Sequence, residues 1–329
     1  MILMVSVQNV DESNEAVRGG ADIVDVKNLQ EAVVGSASPE IVKQVLDSVP
    51  FDRHASVTLG VVPNQAGTVA MAVHAAGMLE ATSVKVGFRN TEYHEAVEIL
   101  LESKKALLGT ETKLIGSLFA DNGLYEGLDP SRMLDLAQDA NCDGFLIDTL
   151  TKDGRNLFDF MSEDELRKMV FRGKELGIST ALSGHLKIDD LDELARINPD
   201  IVGVRGAVCS KGDRGNGVYW EAVSEFKHQL VLRESGEIDV FDLPDDAQHI
   251  THNGSSGRWI VIDGTGKTCA SILASLSKQV KVDRNSFVEV IVPSVLNSYD
   301  VILWAENGDH TIITQRTDSD GSTRILVRP

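Results

Sequence analysis

The sequence predicts an α/β fold, a parallel (β/α)8 TIM barrel followed by a small C-terminal α+β domain. Three observations carry this. Eight short apolar runs alternate with amphipathic ones through the first two-thirds of the chain. Several runs are continuous, such as Gly144-Phe145-Leu146-Ile147-Asp148 and Ile201-Val202-Gly203-Val204, as expected of parallel strands covered on both faces. Eight such units fill about 235 of the 329 residues, close to the ~250 usual for such a barrel. A doubly wound open sheet is the alternative, and it is the weaker one because no Gly-x-Gly-x-x-Gly turn follows the first run.

In order, the expected strands are Ile2–Ser6, Asp22–Lys27, Ala55–Gly60, Ser83–Phe88, Lys113–Leu118, Gly144–Asp148, Ser179–Ser183 and Ile201–Gly206. Amphipathic helices lie between them. One runs from Glu92 to Lys105, and a second from Ser131 to Ala140 behind Asp129-Pro130. A third, Met161 to Leu176, has Ser162 as N-cap and Glu165 three residues on, a capping-box signature. The helix Trp220 to Leu232 closes the barrel, giving a catalytic domain over 1–234.

Residues 235–329 form the appendage. Ser235-Gly236-Glu237 and Leu243-Pro244-Asp245-Asp246 read as a linker or a first irregular strand. Beyond them come a strand at Trp259–Asp263 and a helix at Cys269–Val280. Further strands are expected near Phe287–Val292, Asp300–Ala305, His310–Thr314 and Thr323–Val327. Asn307-Gly308 and Asp318-Ser319-Asp320-Gly321 are hairpin-turn signals. Gly264-Thr265-Gly266-Lys267-Thr268 looks like part of a phosphate-binding loop. The full pattern needs a glycine where Val261 stands, so a glycine turn with a solvated Lys267 is the plainer reading.

Composition narrows the function. A formal net charge of -19 argues against nucleic acid as a partner. It leaves room for a small phosphorylated substrate in a local pocket. Cys142, Cys209 and Cys269 are far apart and make no metal-type spacing, which suggests reduced thiols in a cytoplasmic protein with no metal or cofactor. The start, Met1-Ile2-Leu3-Met4-Val5-Ser6, lacks a basic segment and reads as a first strand; no stretch approaches a membrane span. Oligomeric state is left open, and a homo-oligomer is compatible.

Two lysines stand in buried-strand contexts, Lys27 in Ile-Val-Asp-Val-Lys-Asn and Lys85 in Ser-Val-Lys-Val-Gly. Burying an unpaired ammonium is costly, so such lysines are ion-paired or serve as amine nucleophiles and proton carriers. The catalytic face of a TIM barrel lies at the C-terminal strand ends. That rule gathers Asp25 and Lys27, Lys85, Asp121, Asp148 and Lys152 at one mouth. An ordinary lysine, with a pKa near ~10.4, is a poor nucleophile at neutral pH. Desolvation and neighbouring cations favour its neutral form. The set therefore suggests Schiff-base chemistry on a carbonyl compound. Strands seven and eight supply a phosphate site, with Ser183, Gly184, Gly206 and Ala207 letting backbone N–H groups approach an anion. Arg205 either adds charge there or bridges to a strand-end carboxylate. Structural readings stand beside these: Lys27 and Lys85 as ion-pair partners, Asp121 and Asp153 as loop caps, His185 as a surface histidine. His54, His74 and His94 form no ligand set.

Several motifs together resemble the (5-formylfuran-3-yl)methyl phosphate synthase family of methanofuran biosynthesis. They are Asp-Val-Lys-Asn at 25–28, Val-Lys-Val-Gly at 84–87, Leu-Ile-Asp-Thr at 146–149, Lys-Asp-Gly at 152–154, Leu-Phe-Asp-Phe at 157–160, and Asp-Ile-Val-Gly-Val-Arg-Gly-Ala at 200–207. The resemblance covers roughly residues 1–230. It implies condensation of two glyceraldehyde 3-phosphates into 4-(hydroxymethyl)-2-furancarboxaldehyde phosphate, with loss of one phosphate and of water. It implies Lys27 as the Schiff-base lysine and Lys85 as the proton acceptor, assisted by Asp25, Asp148 and Lys152. The run Leu29-Gln30-Glu31-Ala32-Val33-Val34-Gly35 departs from the family's Pro-Lys-Glu-Gly-Ser-Leu-Gly-like pattern, so this loop is expected to differ in shape. A class I aldolase acting on another phosphorylated aldehyde, or a silent barrel scaffold, are the competing readings.

Overall fold

The computed structural model describes residues 1–30, 35–151, 153–210, 214–240, 260–284, 286–317 and 321–329. Eight strands close into a parallel barrel in sequence order: β1 (Ile2–Val7), β2 (Ile23–Val26), β3 (His54–Val61), β4 (Ser83–Gly87), β5 (Lys113–Phe119), β6 (Gly144–Asp148), β7 (Ser179–Leu182) and β8 (Ile201–Val204). β8 pairs with β1 to complete the ring. The predicted barrel strands agree to within one or two residues.

Eight helices jacket the barrel: α1 (Val10–Arg18), α2 (Pro39–Ser48), α3 (Ala66–Met78), α4 (Tyr93–Ala106), α5 (Met133–Asp139), α6 (Glu163–Glu175), α7 (Leu191–Ile197) and α8 (Trp220–Ser235). In α4 the buried face is Ala96, Ile99, Leu100 and Ser103, spaced i, i+3, i+4 and i+7. A buried Ile or Leu of this kind contributes about 1.5–3 kcal/mol. α6 begins at the predicted capping box: Ser162 Oγ accepts from the Glu165 amide at 3.3 Å, and Glu165 Oε2 accepts from the Ser162 amide at 2.9 Å.

Period-two alternation sorts the strand residues. Val24, Val26, Val57, Val84 and Val86 face outward into the main core. Asp25, Ser56, Thr58 and Lys85 take the inward positions, with Asp25 in register with Ser56 and Thr58 with Lys85. A bulge between Thr58 and Gly60 kinks β3 beside this cluster, and Gly60 takes φ 79°.

The second unit is a four-stranded sheet in the order β11-β12-β10-β9, from β9 (Ile260–Asp263), β10 (Val288–Val292), β11 (Thr311–Thr317) and β12 (Thr323–Arg328). β9 and β10 are parallel, and the other pairs are antiparallel. Helices α9 (Cys269–Val282) and α10 (Val295–Asn307) supply Ile272, Leu273, Leu276, Val301 and Trp304 to its own core.

One expectation is overturned here. Asp300–Ala305 is not a strand but part of α10, which starts at the N-cap Ser294, whose hydroxyl accepts from the Asn297 amide. Asn307-Gly308 accordingly ends a helix rather than turning a hairpin. The 264–268 loop is a turn in which the Lys267 amide donates to the Gly264 carbonyl, and Thr268 caps α9. The segments 243–246 and 318–320, and residue Trp259, lie outside the described residues.

The second unit docks where the barrel strands begin. α9 packs on α6 and α10 on α8. At the centre of the junction Lys174 Nζ donates to Asp300 Oδ2 at 2.6 Å. Asn198 Nδ2 donates to the same oxygen at 2.7 Å, and Cys269 Sγ lies 2.7 Å from it. Burial opposes the charge on Lys174, but Asp300, with Cys269 and Asp200, outweighs it and holds the ammonium above the ordinary lysine range.

Candidate active site

The inward residues of β2, β3 and β4 form a buried charged cluster at the C-terminal half of the barrel. Asp25, 1% exposed, is its hub. Lys85 Nζ donates to Asp25 Oδ1 at 2.5 Å and to Ser56 Oγ at 2.7 Å. Ser56 Oγ donates to Asp25 Oδ1 at 2.8 Å, and Thr58 Oγ1 to both carboxylate oxygens at 3.0 Å. Ser56 and Thr58 are the residues that sequence reasoning missed. Their signal was available: two hydroxyls on one face of a buried strand require partners.

Lys27 stands differently. It is 8% exposed, and its Nζ lies 3.7 Å from Asp25 Oδ2, within ion-pair reach but beyond a hydrogen bond. Burial raises the Asp25 carboxyl, but the ammoniums of Lys85 and Lys27 and the hydrogen bonds from Lys85 and Ser56 outweigh it and hold it below the usual carboxylate range. For Lys85 burial is the largest influence. It lowers the ammonium's pKa, Lys27 adds to the lowering, and Asp25 and Asp148 oppose it without restoring the ordinary lysine value. The cluster thus keeps an ionised carboxylate against a lysine biased toward its neutral form.

Three cavities meet at Lys27. One, of about 10 Å³, follows the barrel axis past Thr58, Lys85, Ser117 and Asp148. Gly60 and Gly87 border it, and a Cβ on Gly87 would stand 3.0 Å from the Gly60 carbonyl. A second, of about 20 Å³, runs toward β7 and β8 between Ser6, Asp148, Ser183, His185, Arg205 and Gly206. The third, of about 340 Å³, opens toward the loops after β1 and β2.

The predicted phosphate residues divide. Ser183, Arg205 and Gly206 line the second cavity, whereas Gly184 and Ala207 do not. Gly184 has φ +118° and packs on Thr149, where a Cβ would meet the Thr149 methyl at 2.9 Å. Arg205 does bridge to a carboxylate, but to one on a helix rather than at a strand end. It grips Glu12 of α1 with two N–H groups, at 2.7 and 3.0 Å, and donates to the Ser6 carbonyl at 2.9 Å. Asp121 is a loop cap, accepting from the Leu150 and Thr151 amides at 2.8 and 2.6 Å. Asp148 accepts from the Thr149 amide at 2.7 Å and lines both small cavities. Lys152 and residues 31–34 lie outside the described residues, as do residues 211–213. Among the described residues no group of side chains suits a metal ion, and no helix is long and apolar enough to cross a membrane.

The barrel matches the family model of 4-HFC-P synthase over residues 3–227. The chain belongs to the 4-HFC-P synthase family. Among curated relatives it is 40% identical to "(5-formylfuran-3-yl)methyl phosphate synthase" of Methanopyrus kandleri, over 65% of this chain and 92% of that one. It is 39% identical to the protein of that name from Methanobrevibacter smithii, over 69% of this chain and 98% of the relative. Membership of the 4-HFC-P synthase family makes the chain an enzyme, and the family match ends before β9. Among solved structures it is similar to phosphoribosyl anthranilate isomerase from Thermus thermophilus, at 14% identity and a TM-score of 0.49, over 70% of this chain and 98% of that one.

Proposed function

We propose that this barrel condenses two molecules of glyceraldehyde 3-phosphate into 4-(hydroxymethyl)-2-furancarboxaldehyde phosphate, an early step of methanofuran biosynthesis, through a Schiff base on Lys27. The observation that carries the reading is the unequal setting of the two lysines. Lys85 is fastened at 2.5 and 2.7 Å to Asp25 and Ser56, whereas Lys27 has its carboxylate partner at 3.7 Å and borders all three cavities. The lysine that meets all three cavities is the one to attack a carbonyl. The fastened one, lowered by burial, is the one to accept a proton.

In this scheme the Lys27 amine adds to the aldehyde carbon of one substrate, and loss of water gives an imine. The protonated imine withdraws electrons, so the adjacent carbon loses its proton to neutral Lys85. The resulting enamine attacks the carbonyl of the second aldehyde. Elimination of one phosphate and of two waters then closes and aromatises the ring, and hydrolysis frees Lys27. Asp25 stabilises the cationic forms, and Asp148 and Lys152 assist proton transfer. The first substrate's phosphate lies toward Ser183 and Gly206, with Arg205 adding positive charge while held by Glu12. The relatives' name and the matching motifs support the product assignment. Incubation of the full chain with glyceraldehyde 3-phosphate tests it. A new strong near-ultraviolet absorbance, with the furan phosphate's mass, is expected. Aldol products lacking that absorbance would refute the assignment in favour of an ordinary aldolase.

A further inference from the structure

The geometry points to the 340 Å³ cavity beside Lys27 as the subsite for the second aldehyde phosphate, an assignment that rests on the Schiff-base reading above. Joining two three-carbon phosphates at one lysine needs room for two bodies. The axial and β7/β8 cavities, at about 10 and 20 Å³, are too small to take a second whole three-carbon phosphate beside the first. The third, about 340 Å³, lies in the roughly 300–1,000 Å³ range of small-molecule sites.

Its lining suits a hydroxylated aldehyde. Gln8, Asn9, Asn28 and Gln30 bring amide side chains and Ser38 a hydroxyl, while Lys27 is its cation. Amides both donate and accept, so they can hydrogen-bond hydroxyl and carbonyl oxygens alike. None of the described residues lining it is acidic, in a chain of net charge -19. Ser38 caps the ten-residue helix α2, so the wall of the cavity is a helix N-terminus, whose partial positive charge favours a phosphate.

Glu12 ties this cavity to the opposite subsite. One of its carboxylate oxygens accepts from the backbone N–H of Gln8 at 2.9 Å and from Arg205 at 2.7 Å. Arg205 lines the β7/β8 cavity and Gln8 lines the large one. One buried bridge therefore sets the spacing of the two subsites across Lys27, which makes Arg205 and Glu12 positioning residues.

The test uses the full chain with Gln8→Glu and the neutral, similarly sized Gln8→Leu, glyceraldehyde 3-phosphate being the probe. Two curves are recorded against its concentration: borohydride-trapped single-aldehyde adduct on Lys27, and the initial rate of furan absorbance. The half-saturating concentration for furan formation is expected to rise tenfold or more in Gln8→Glu and several-fold in Gln8→Leu. That for adduct trapping is expected to move less than twofold. Unchanged furan curves in both variants would overturn the assignment, as would trapping curves that shift in parallel. Absence of any adduct in the unaltered protein would instead refute the Schiff-base reading on which the subsite depends.

Discussion

Replacing Asp25 by Asn removes one charge from the centre of the cluster and keeps the side chain's size. At 2.5 Å and an effective dielectric near 20, the attraction between Asp25 and Lys85 is about 7 kcal/mol before desolvation is subtracted. Breaking one side of a buried pair typically costs about 3–5 kcal/mol, because the remaining charge is left uncompensated. We expect Asp25→Asn to lose that much stability at pH 7. The sign of the pH dependence follows from Lys85. Its ammonium is already held below the ordinary lysine value by burial, and the variant removes the main opposing influence. A lysine lowered on folding must give up its proton, at about 1.4 kcal/mol per pH unit below its unfolded pKa. This cost is present at neutral pH and fades as pH rises toward about 10.4. The deficit of Asp25→Asn should therefore shrink by about 1–2 kcal/mol between pH 7 and 9. Urea unfolding of the full chain, followed by near-ultraviolet circular dichroism, measures it. A deficit below about 1 kcal/mol, or one that grows with pH, would refute the reasoning.

Three further outcomes follow. If neutral Lys85 is the proton acceptor, kcat/KM should rise with pH through an apparent pKa below the ordinary lysine value, and Lys85→Met should abolish furan formation while leaving the protein folded; a profile flat from pH 6 to 10 contradicts this. Asp300→Ala strips Lys174 and Asn198 of their shared acceptor and should cost about 3–5 kcal/mol at pH 7, with earlier proteolytic release of the second unit; since Lys174 is raised on folding, the loss should lessen only as pH climbs past about 10.4, and an unchanged melting temperature would refute the docking argument. Ser162→Ala removes the cap of α6 and should cost about 1 kcal/mol in thermal unfolding, against no change if the capping box is incidental.

The barrel was legible because its strands are continuous apolar runs bounded by turn residues. β6 matches its predicted limits residue for residue. Asp300–Ala305 misled because a short apolar run has no readable period of its own. The helical signal came from Ser294 upstream, which extends the run to helix length, with Val301, Trp304 and Ala305 standing at i, i+3 and i+4. At the site, Asp25, Lys27 and Lys85 stood out because a charge in a buried strand is costly, and they do meet. Arg205 was ambiguous because its partner, Glu12, lies 193 residues away in sequence. The large cavity was invisible because amides such as Gln8 and Asn28 carry no charge to mark them, and only the closed ring of strands brings the loops after β1 and β2 together.

The central claim is that Lys27 forms the imine. Incubation of the protein with glyceraldehyde 3-phosphate, borohydride reduction, digestion and mass spectrometry tests it most directly. The account predicts a reduced three-carbon phosphate adduct on Lys27, absent from Lys27→Ala. An adduct on Lys85, or none on any strand-end lysine while furan still accumulates, would contradict it.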